Sequence, residues 1–93
     1  MTETVAFSDW LASLGDVVAR RAIVKRLVRL AATGHFGDIA PVGDGVSEMR
    51  FHIGPGYRVY YTLRNGAVIL WGGDKGSQQR DIGKAKALAA GLV

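Results

Sequence analysis

The chain has no cysteine, only two prolines and two histidines in 93 residues, and no long hydrophobic run. Without cysteine it cannot form disulfides, use a thiolate nucleophile or build a cysteine-ligated zinc site. The two histidines, His35 and His52, are far apart in the sequence and have no cysteine partners. We therefore expect neither a metal site nor another cofactor.

Membrane-spanning and export signals are also missing from the sequence. The longest strongly apolar run, Ala67 to Trp71, is far shorter than the roughly 20 residues that a membrane helix needs. The N-terminal residues Met1 to Thr4 lack the basic and apolar pattern of a secretion signal. We expect a cytoplasmic protein that does not contact a membrane.

The length and charge of the chain limit its architecture and its partners. At 93 residues the chain is predicted to be one domain, residues 1–93, with a thin core. The formal net charge is +4 and the isoelectric point is near 9.9. A basic domain of this size favours a polyanionic or acidic partner, although solvated surface charge gives the same balance.

Helical spacing begins near the N-terminus. Val5 to Phe7 reads as a short strand or a lead-in. Ser8 is a candidate N-cap for a short helix from Asp9 to Leu14, and Gly15 interrupts the pattern.

A longer helix is predicted from the cap at Asp16 to about Thr33, where Gly34 ends it. Its apolar residues form one stripe, namely Ala19, Ile23, Leu27 and Leu30. Its cations recur every fourth position on another face, at Arg21, Lys25 and Arg29. This basic row is a candidate RNA-binding surface, with a merely solvated face as the alternative.

The hydrophobic period changes to two after a glycine-rich loop between Gly37 and Gly45. Three strands are predicted, namely Ser47–Ile53, Tyr57–Arg64 and Ala67–Trp71. Asn65-Gly66 predicts a two-residue type I′ hairpin between the last two strands.

A final helix can begin at Ser77, and its apolar stripe is Ile82, Ala85, Ala89 and Leu92. The predicted fold class is α+β. An N-terminal helical hairpin packs on a small antiparallel sheet of three strands, or four if Val5 pairs, followed by a C-terminal helix.

The hairpin predicts which side chains share a sheet face. A two-residue loop predicts three cross-strand pairs, namely Tyr60 with Trp71, Tyr61 with Leu70 and Arg64 with Ala67. On the other side, pairing His52 with Arg58 places Arg50 opposite Tyr60. One face is then the core under the helices, comprising Met49, Phe51, Ile53, Val59, Tyr61, Leu63, Val68 and Leu70. The other is expected to be open, comprising Glu48, Arg50, His52, Arg58, Tyr60 and Trp71, with Lys75 past the strand end.

The residue types on the predicted open face suit metal-independent RNA cleavage. Arg58 and Arg50 can hold a phosphate, His52 titrates near neutral pH, and Lys75 can neutralise charge or act as an acid. These residues are candidate catalytic residues, as is Tyr60.

Aromatic side chains complete this face. Tyr60 and Trp71 can stack an RNA base, and Trp71 is therefore a candidate RNA-binding residue. The alternatives are structural. Arg50 can pair with Glu48 or Asp74 on a solvated face, His52 can be an ordinary surface histidine, and a C-terminal helix packed here would cover the site.

Five strings together resemble the HigB-like branch of the RelE/ParE toxin superfamily. They are Phe7-Ser8-Asp9-Trp10-Leu11, the stretch from Arg26 to Asp38, Gly45-Val46-Ser47-Glu48-Met49-Arg50, Gly54-Pro55-Gly56-Tyr57-Arg58-Val59-Tyr60-Tyr61, and Gly72-Gly73-Asp74-Lys75 with Gln78, Asp81 and Ile82. The resemblance extends over nearly the whole chain, from about Phe7 to Ala89.

The resemblance implies the toxin of a type II toxin–antitoxin pair, with a helix-turn-helix, HigA-like antitoxin and a possible toxin–antitoxin hetero-oligomer. Many RelE-like members cut mRNA on the ribosome and so inhibit translation. Arg58 resembles the strand arginine that contacts the scissile phosphate, and Arg50 and Lys75 resemble accessory basic residues. A ParE-type gyrase poison without nuclease activity, or an inactive relative that only binds its antitoxin, is the alternative. An antitoxin contact is then a further role for the basic row.

Overall fold

A computed structural model describes residues 1–92 as an α+β fold with helices on both faces of one sheet. The elements are β1 (Thr2–Glu3), α1 (Val5–Ser13), α2 (Val17–Thr33), β2 (Ile39–Gly43), β3 (Val46–Phe51), β4 (Tyr57–Leu63), β5 (Ala67–Asp74), a 3₁₀ turn (Lys75–Ser77) and α3 (Gln78–Ala90). The sheet has five strands in the order β1-β5-β4-β3-β2. No helix within residues 1–92 is long and apolar enough to cross a membrane.

The N-terminal prediction is wrong in its details. Val5 begins α1 instead of a strand, because the Thr4 side chain, not that of Ser8, accepts the capping hydrogen bond from the Phe7 amide at 3.0 Å. Because the helix begins at Val5, Phe7 lies on its inner face and is fully buried in the core. The residues that do form a strand are Thr2 and Glu3, which pair with β5 in parallel. The sheet is therefore mixed and not purely antiparallel.

The prediction for α2 is confirmed. Asp16 caps the helix by accepting from the Ala19 amide at 3.0 Å, and Gly34 ends it in the left-handed conformation with φ 75°. The predicted apolar stripe is buried against the sheet, as Ala19, Ile23, Leu27 and Leu30. Burial of the stripe positions α2 across one face of β3 and β4.

The segment that was expected to be a loop contains an edge strand, β2, which pairs antiparallel with β3. Pro41 argues against a strand in the sequence, because proline cannot donate a hydrogen bond to a neighbouring strand and is tolerated only at a sheet edge or a bulge. The ladder is irregular between Pro41 and Gly43. Just before β2, the Arg50 amide donates to the Asp38 carbonyl at 2.9 Å, so Asp38 lies beside β3.

The register between β3 and β4 differs from the expected one by two residues. Arg50 is opposite Arg58, and Glu48 is opposite Tyr60. The connection after Phe51 is longer than a tight turn and closes with a hydrogen bond from the Gly56 amide to the Ile53 carbonyl. Because the shift is even, the side chains keep their predicted faces.

Between β4 and β5 the expected pairing of Tyr60 with Trp71 is confirmed, but Leu63 and not Arg64 is opposite Ala67. The hairpin loop thus contains Arg64 as well as Asn65 and Gly66, which moves the register by one residue. Tyr61 is therefore opposite Ile69 and not Leu70. A bulge at Leu70 moves the register back, which restores the expected pairing of Tyr60 with Trp71.

The bulge changes which residues of β5 face each layer. Ile69 and Ala67 pack in the core under α1 and α2, whereas Val68 and Leu70 pack against α3. Leu63, predicted to be core, is 63% exposed. The expectation of an open second face is also wrong. The apolar stripe of α3 requires an apolar partner, and it packs Ala85 and Ala89 on that face.

Candidate functional site

Three of the predicted catalytic residues lie at the edge of the sheet where β3 and β5 end and β4 begins. Arg50 and Arg58 are direct cross-strand neighbours. Gly56 lies beside both Arg58 and Lys75, because a Cβ on Gly56 would come within 3.4 Å of Arg58 Nη1 and 3.5 Å of Lys75 Cβ. Gly56 also adopts φ 80°, a conformation that favours glycine. This glycine lets the β3–β4 connection approach the start of the 3₁₀ turn, so Lys75 and Arg58 lie on either side of Gly56.

Arg58 is not free at this site. It is buried, and its Nε lies 2.9 Å from Glu48 Oε2 in an ion pair between side chains that are 10% and 3% exposed. Its Nη1 donates to the backbone carbonyls of Gly56 and Tyr57 at 3.1 and 3.2 Å. The N–H direction of Nε misses the carboxylate, so Nε has no hydrogen-bond acceptor in the structure. Arg58 is held rigidly, and Glu48 offsets its charge.

Glu48 is the centre of this cluster. The side-chain amide of Gln78, the first residue of α3, donates to both carboxylate oxygens of Glu48 at 3.1 and 3.2 Å. Arg50 Nε lies 3.9 Å from Glu48 Oε2, at the limit of an ion pair, and has no hydrogen-bond acceptor. The Arg50 side chain is 39% exposed. Arg50 is therefore the arginine of the pair that solvent or a ligand can reach.

His52 lies two residues after Arg50 and forms a close pair with Asp38, its Nε2 lying 2.6 Å from Asp38 Oδ2. This hydrogen bond is the main cause of the lowered pKa of Asp38, and the charges of His52, Arg50 and Arg26 lower that pKa further. An ionised carboxylate can only accept, so Nε2 is the donor of this hydrogen bond and Nδ1 is the ring nitrogen that is not bonded to Asp38. The pair is exposed, and it orients an imidazole beside the accessible arginine.

Tyr60 and Trp71 oppose each other as predicted, but α3 covers them. Tyr60 has no exposed surface, and its hydroxyl has no hydrogen-bond partner. Burial, followed by the charge of Glu48, raises the pKa of Tyr60 far above its ordinary value of 10.0. Trp71 donates from Nε1 to Asp81 at 3.0 Å, and the Lys84 ammonium lies 3.9 Å from the ring centroid. Tyr60 is therefore unavailable for base stacking while α3 is in place, whereas Trp71 remains partly exposed.

The packing around β5 explains the two glycines of the Gly72-Gly73 string. A Cβ on Gly72 would overlap the Trp10 ring, and a Cβ on Gly73 would overlap the Asp81 carboxylate. Asp81 is buried and also accepts from the Ser77 hydroxyl. These glycines therefore permit the close approach of α1 and α3 to the strand, which is a structural role.

The three predicted RNA-binding cations on α2 are not part of this cluster. Arg21, Lys25 and Arg29 are exposed, but α2 packs on the sheet face opposite to the one that carries Arg50, Arg58 and Tyr60. The structure thus separates the predicted RNA-binding surface into two surfaces, one on each side of the sheet.

Two members of the cluster were not selected from the sequence. Asp38 precedes a segment whose glycines and Pro41 predict a loop, so its position beside β3 could not be predicted from the sequence. Glu48 was considered only as a partner for Arg50, although it alternates with Arg50 on β3 and ties Arg58 and Gln78 together. Within residues 1–92 no three His, Cys, Asp or Glu side chains lie close enough together to hold a metal ion.

Comparison with known proteins gives one clear relationship. The chain is 45% identical over 91 residues to an uncharacterized protein of Haemophilus influenzae, and the alignment covers 96% of this chain and 91% of that protein. No protein-family model and no solved structure matches the chain. The relationship therefore extends over nearly the whole fold and is not confined to one motif.

Proposed function

The chain belongs to the family of this H. influenzae protein, and we propose that it is the toxin of a type II toxin–antitoxin pair that cleaves mRNA on the ribosome without a metal. The observation that carries the proposal is the His52–Asp38 pair, joined at 2.6 Å, next to the accessible Arg50 and its cross-strand neighbour Arg58. An oriented imidazole beside guanidinium groups suits phosphodiester cleavage. The HigB-like fold and the antitoxin partner implied by the sequence resemblance are part of the same proposal.

In the proposed reaction the RNA 2′-hydroxyl attacks the adjacent phosphorus, and the bond from phosphorus to the 5′-oxygen breaks. His52 Nδ1 takes the proton from the 2′-hydroxyl, because Asp38 holds the other ring nitrogen as a donor. Lys75 gives a proton to the departing 5′-oxygen. The products are a 2′,3′-cyclic phosphate and a 5′-hydroxyl, so atoms and charges balance.

The arginines stabilise the charge that develops on the phosphorane. Arg50 contacts the phosphate directly with its guanidinium group, since its side chain is 39% exposed. Arg58 acts from below the surface, and because Glu48 offsets its charge it contributes less than Arg50. Its carbonyl contacts and Glu48 hold it in one position before the substrate arrives.

Substitution of the exposed residues tests the proposal without disturbing the core. We expect His52→Ala and Arg50→Ala to abolish growth inhibition on induction, because loss of a general base or a charged donor costs on the order of 10²–10⁴ in rate. The matched controls are His35→Ala and Arg64→Ala, which alter an exposed histidine and an exposed arginine that form no ion pair with the cluster. Toxicity at the wild-type level in folded His52→Ala and Arg50→Ala variants would contradict the proposed chemistry.

The reaction products provide an independent test. Purified protein is incubated with translating ribosomes, and the mRNA ends are mapped. We expect 5′-hydroxyl and 2′,3′-cyclic phosphate ends that are unchanged by chelators selective for transition metals. Products with 3′-hydroxyl ends would exclude attack by the 2′-hydroxyl.

One observation favours a second candidate, a gyrase poison that only binds its target. Half of the predicted acid–base face, including Tyr60 and the Glu48–Arg58 pair, is closed under α3. A binding protein does not require accessible catalytic groups. Pulse labelling after induction separates the two functions, since a nuclease should stop protein synthesis before DNA synthesis. DNA breaks with translation initially intact would favour the gyrase target.

A further inference from the structure

A groove lies between α1 and α2, on the sheet face away from the candidate site. It has a volume of about 600 Å³ and an apolar lining that includes Met1, Leu11, Val24, Leu27, Val28 and Ala31. Val24 and Val28 are 43% and 62% exposed. A pair of half-exposed valines over an apolar groove is typical of a surface that another protein covers.

The basic row of α2 borders this groove. Residues three and four apart are neighbours on a helix, so Arg21 lies beside Val24, and Lys25 lies beside Val28. No acidic residue occurs anywhere in α2. Arg21, Lys25 and Arg29 form no ion pair among residues 1–92. Like charges four residues apart on a helix repel each other, so this row favours binding of a negatively charged group along one side of the groove.

The other border of the groove carries an acidic residue and not a cation. Glu3 lines the groove and accepts a hydrogen bond from the Ser8 hydroxyl at 2.6 Å. A ligand that fits both borders therefore carries negative charge along the flank that faces α2 and little negative charge along the flank that faces Glu3. This asymmetry defines the orientation of the ligand as well as its charge.

We infer that the α1–α2 groove binds an amphipathic helix of a partner protein, with the apolar face of that helix on Val24 and Val28 and an acidic flank along Arg21, Lys25 and Arg29. The exposed segment of α2 from Val24 to Ala32 is about 12 Å long at 1.5 Å per residue, which accommodates about two turns of such a helix. Identification of this partner as the antitoxin rests on the proposed function, but the binding chemistry does not.

Two other ligands fit the surface less well. RNA would be attracted by the basic row, but single-stranded RNA binds apolar surface chiefly by stacking on aromatic rings, and the groove lining contains none. In a symmetric dimer, each copy would present three cations and only Glu3 across the interface. The charge balance thus favours a different, acidic chain.

The test uses the full chain and two labelled, designed helical peptides with the same leucine face. One carries glutamates along one flank, and the other carries lysines at the same positions. Fluorescence anisotropy should show that the glutamate peptide binds at least tenfold more tightly, and that added salt reduces the difference. Equal affinity for the two peptides, or binding of neither, would overturn the inference.

Matched variants locate the peptide on the protein. We expect Val28→Asp to weaken binding more than tenfold, because it places a carboxylate in the apolar groove, and Lys25→Glu to weaken it about three- to tenfold. The controls are Val18→Asp, which alters an exposed valine of α2 outside the groove, and Arg64→Glu, which reverses a charge at a turn that does not line the groove. Both should alter binding less than twofold. Circular dichroism confirms that each variant is folded.

The remaining outcomes also decide the question. If single-stranded RNA binds with an affinity that Lys25→Glu lowers and Val28→Asp does not, the surface is a nucleic-acid contact and the inference is wrong. A concentration-dependent dimer that Val28→Asp dissociates would identify a second copy as the occupant. Peptide binding that persists in the His52→Ala variant keeps the groove separate from the proposed catalysis, so either proposal can fail alone.

Discussion

Replacement of Arg58 by methionine should destabilise the protein strongly, whatever Arg58 does in function. Glu48 would remain buried at 3% side-chain exposure, with only the Gln78 amide and the distant Arg50 for compensation. Removal of one partner from a buried ion pair costs about 3–5 kcal/mol. That is a large fraction of the roughly 5–15 kcal/mol that stabilises a domain. At about 4–8 °C per kcal/mol, Tm should fall by about 12 °C or more.

A second substitution distinguishes this explanation from a simple packing loss. In the double variant Glu48→Gln/Arg58→Met the buried carboxylate is gone, while the amide oxygen that replaces it would still accept a hydrogen bond from Gln78. We therefore expect the double variant to recover most of the lost stability, to within about 1–2 kcal/mol of wild type. Thermal and urea unfolding, followed by circular dichroism, measure the stability of wild type, the two single variants Glu48→Gln and Arg58→Met, and the double variant.

The result that would refute the reasoning is a double variant no more stable than Arg58→Met alone, because the cost would then come from lost packing. The cycle also matters for function. Loss of toxicity in Arg58→Met cannot be interpreted if the chain unfolds. A folded double variant that has lost toxicity would instead identify Arg58 as a phosphate-stabilising charge.

Three further predictions concern Tyr60 and the packing of α3. Tyr60→Phe removes a buried hydroxyl without a partner, so it should raise Tm slightly and leave toxicity intact; loss of toxicity in the folded variant would indicate that α3 moves during function. Burial raises the pKa of Tyr60 in the folded protein, so its contribution to stability should be present up to about pH 10 and be lost above it. Tyrosinate absorbance should appear on unfolding. The Tyr60→Phe variant should lose less stability over the same alkaline range. Gly83→Ala, which adds a Cβ in open space on α3, should stabilise by about 0.5–1 kcal/mol, whereas Gly73→Ala should destabilise by about 1–3 kcal/mol because its Cβ overlaps Asp81. Unfolding curves that rank these two glycine variants in the opposite order would contradict the packing of α3 on β5.

Local chemistry in the sequence was sufficient to predict α2, both hairpin strands and the α+β class. Asp16 and Gly34 cap α2 as expected because capping depends only on groups within a few residues. The alternation along β3 and β4 also placed Arg50, Arg58 and Tyr60 on one sheet face, since the period of two survives an even shift of register.

Contacts between distant segments decided the rest. The sequence did not reveal that Thr2 and Glu3 join β5, that β2 brings Asp38 to His52, or that a bulge at Leu70 redirects part of β5 towards α3. Each depends on a partner strand or helix that no local pattern specifies. The burial of Glu48 with Arg58, and the closure of α3 over Tyr60, exist only because the apolar stripe of a helix near the C-terminus requires a surface to cover. The sequence alone determined which chemical groups share a face, and the tertiary structure decided which of them solvent and substrate can reach.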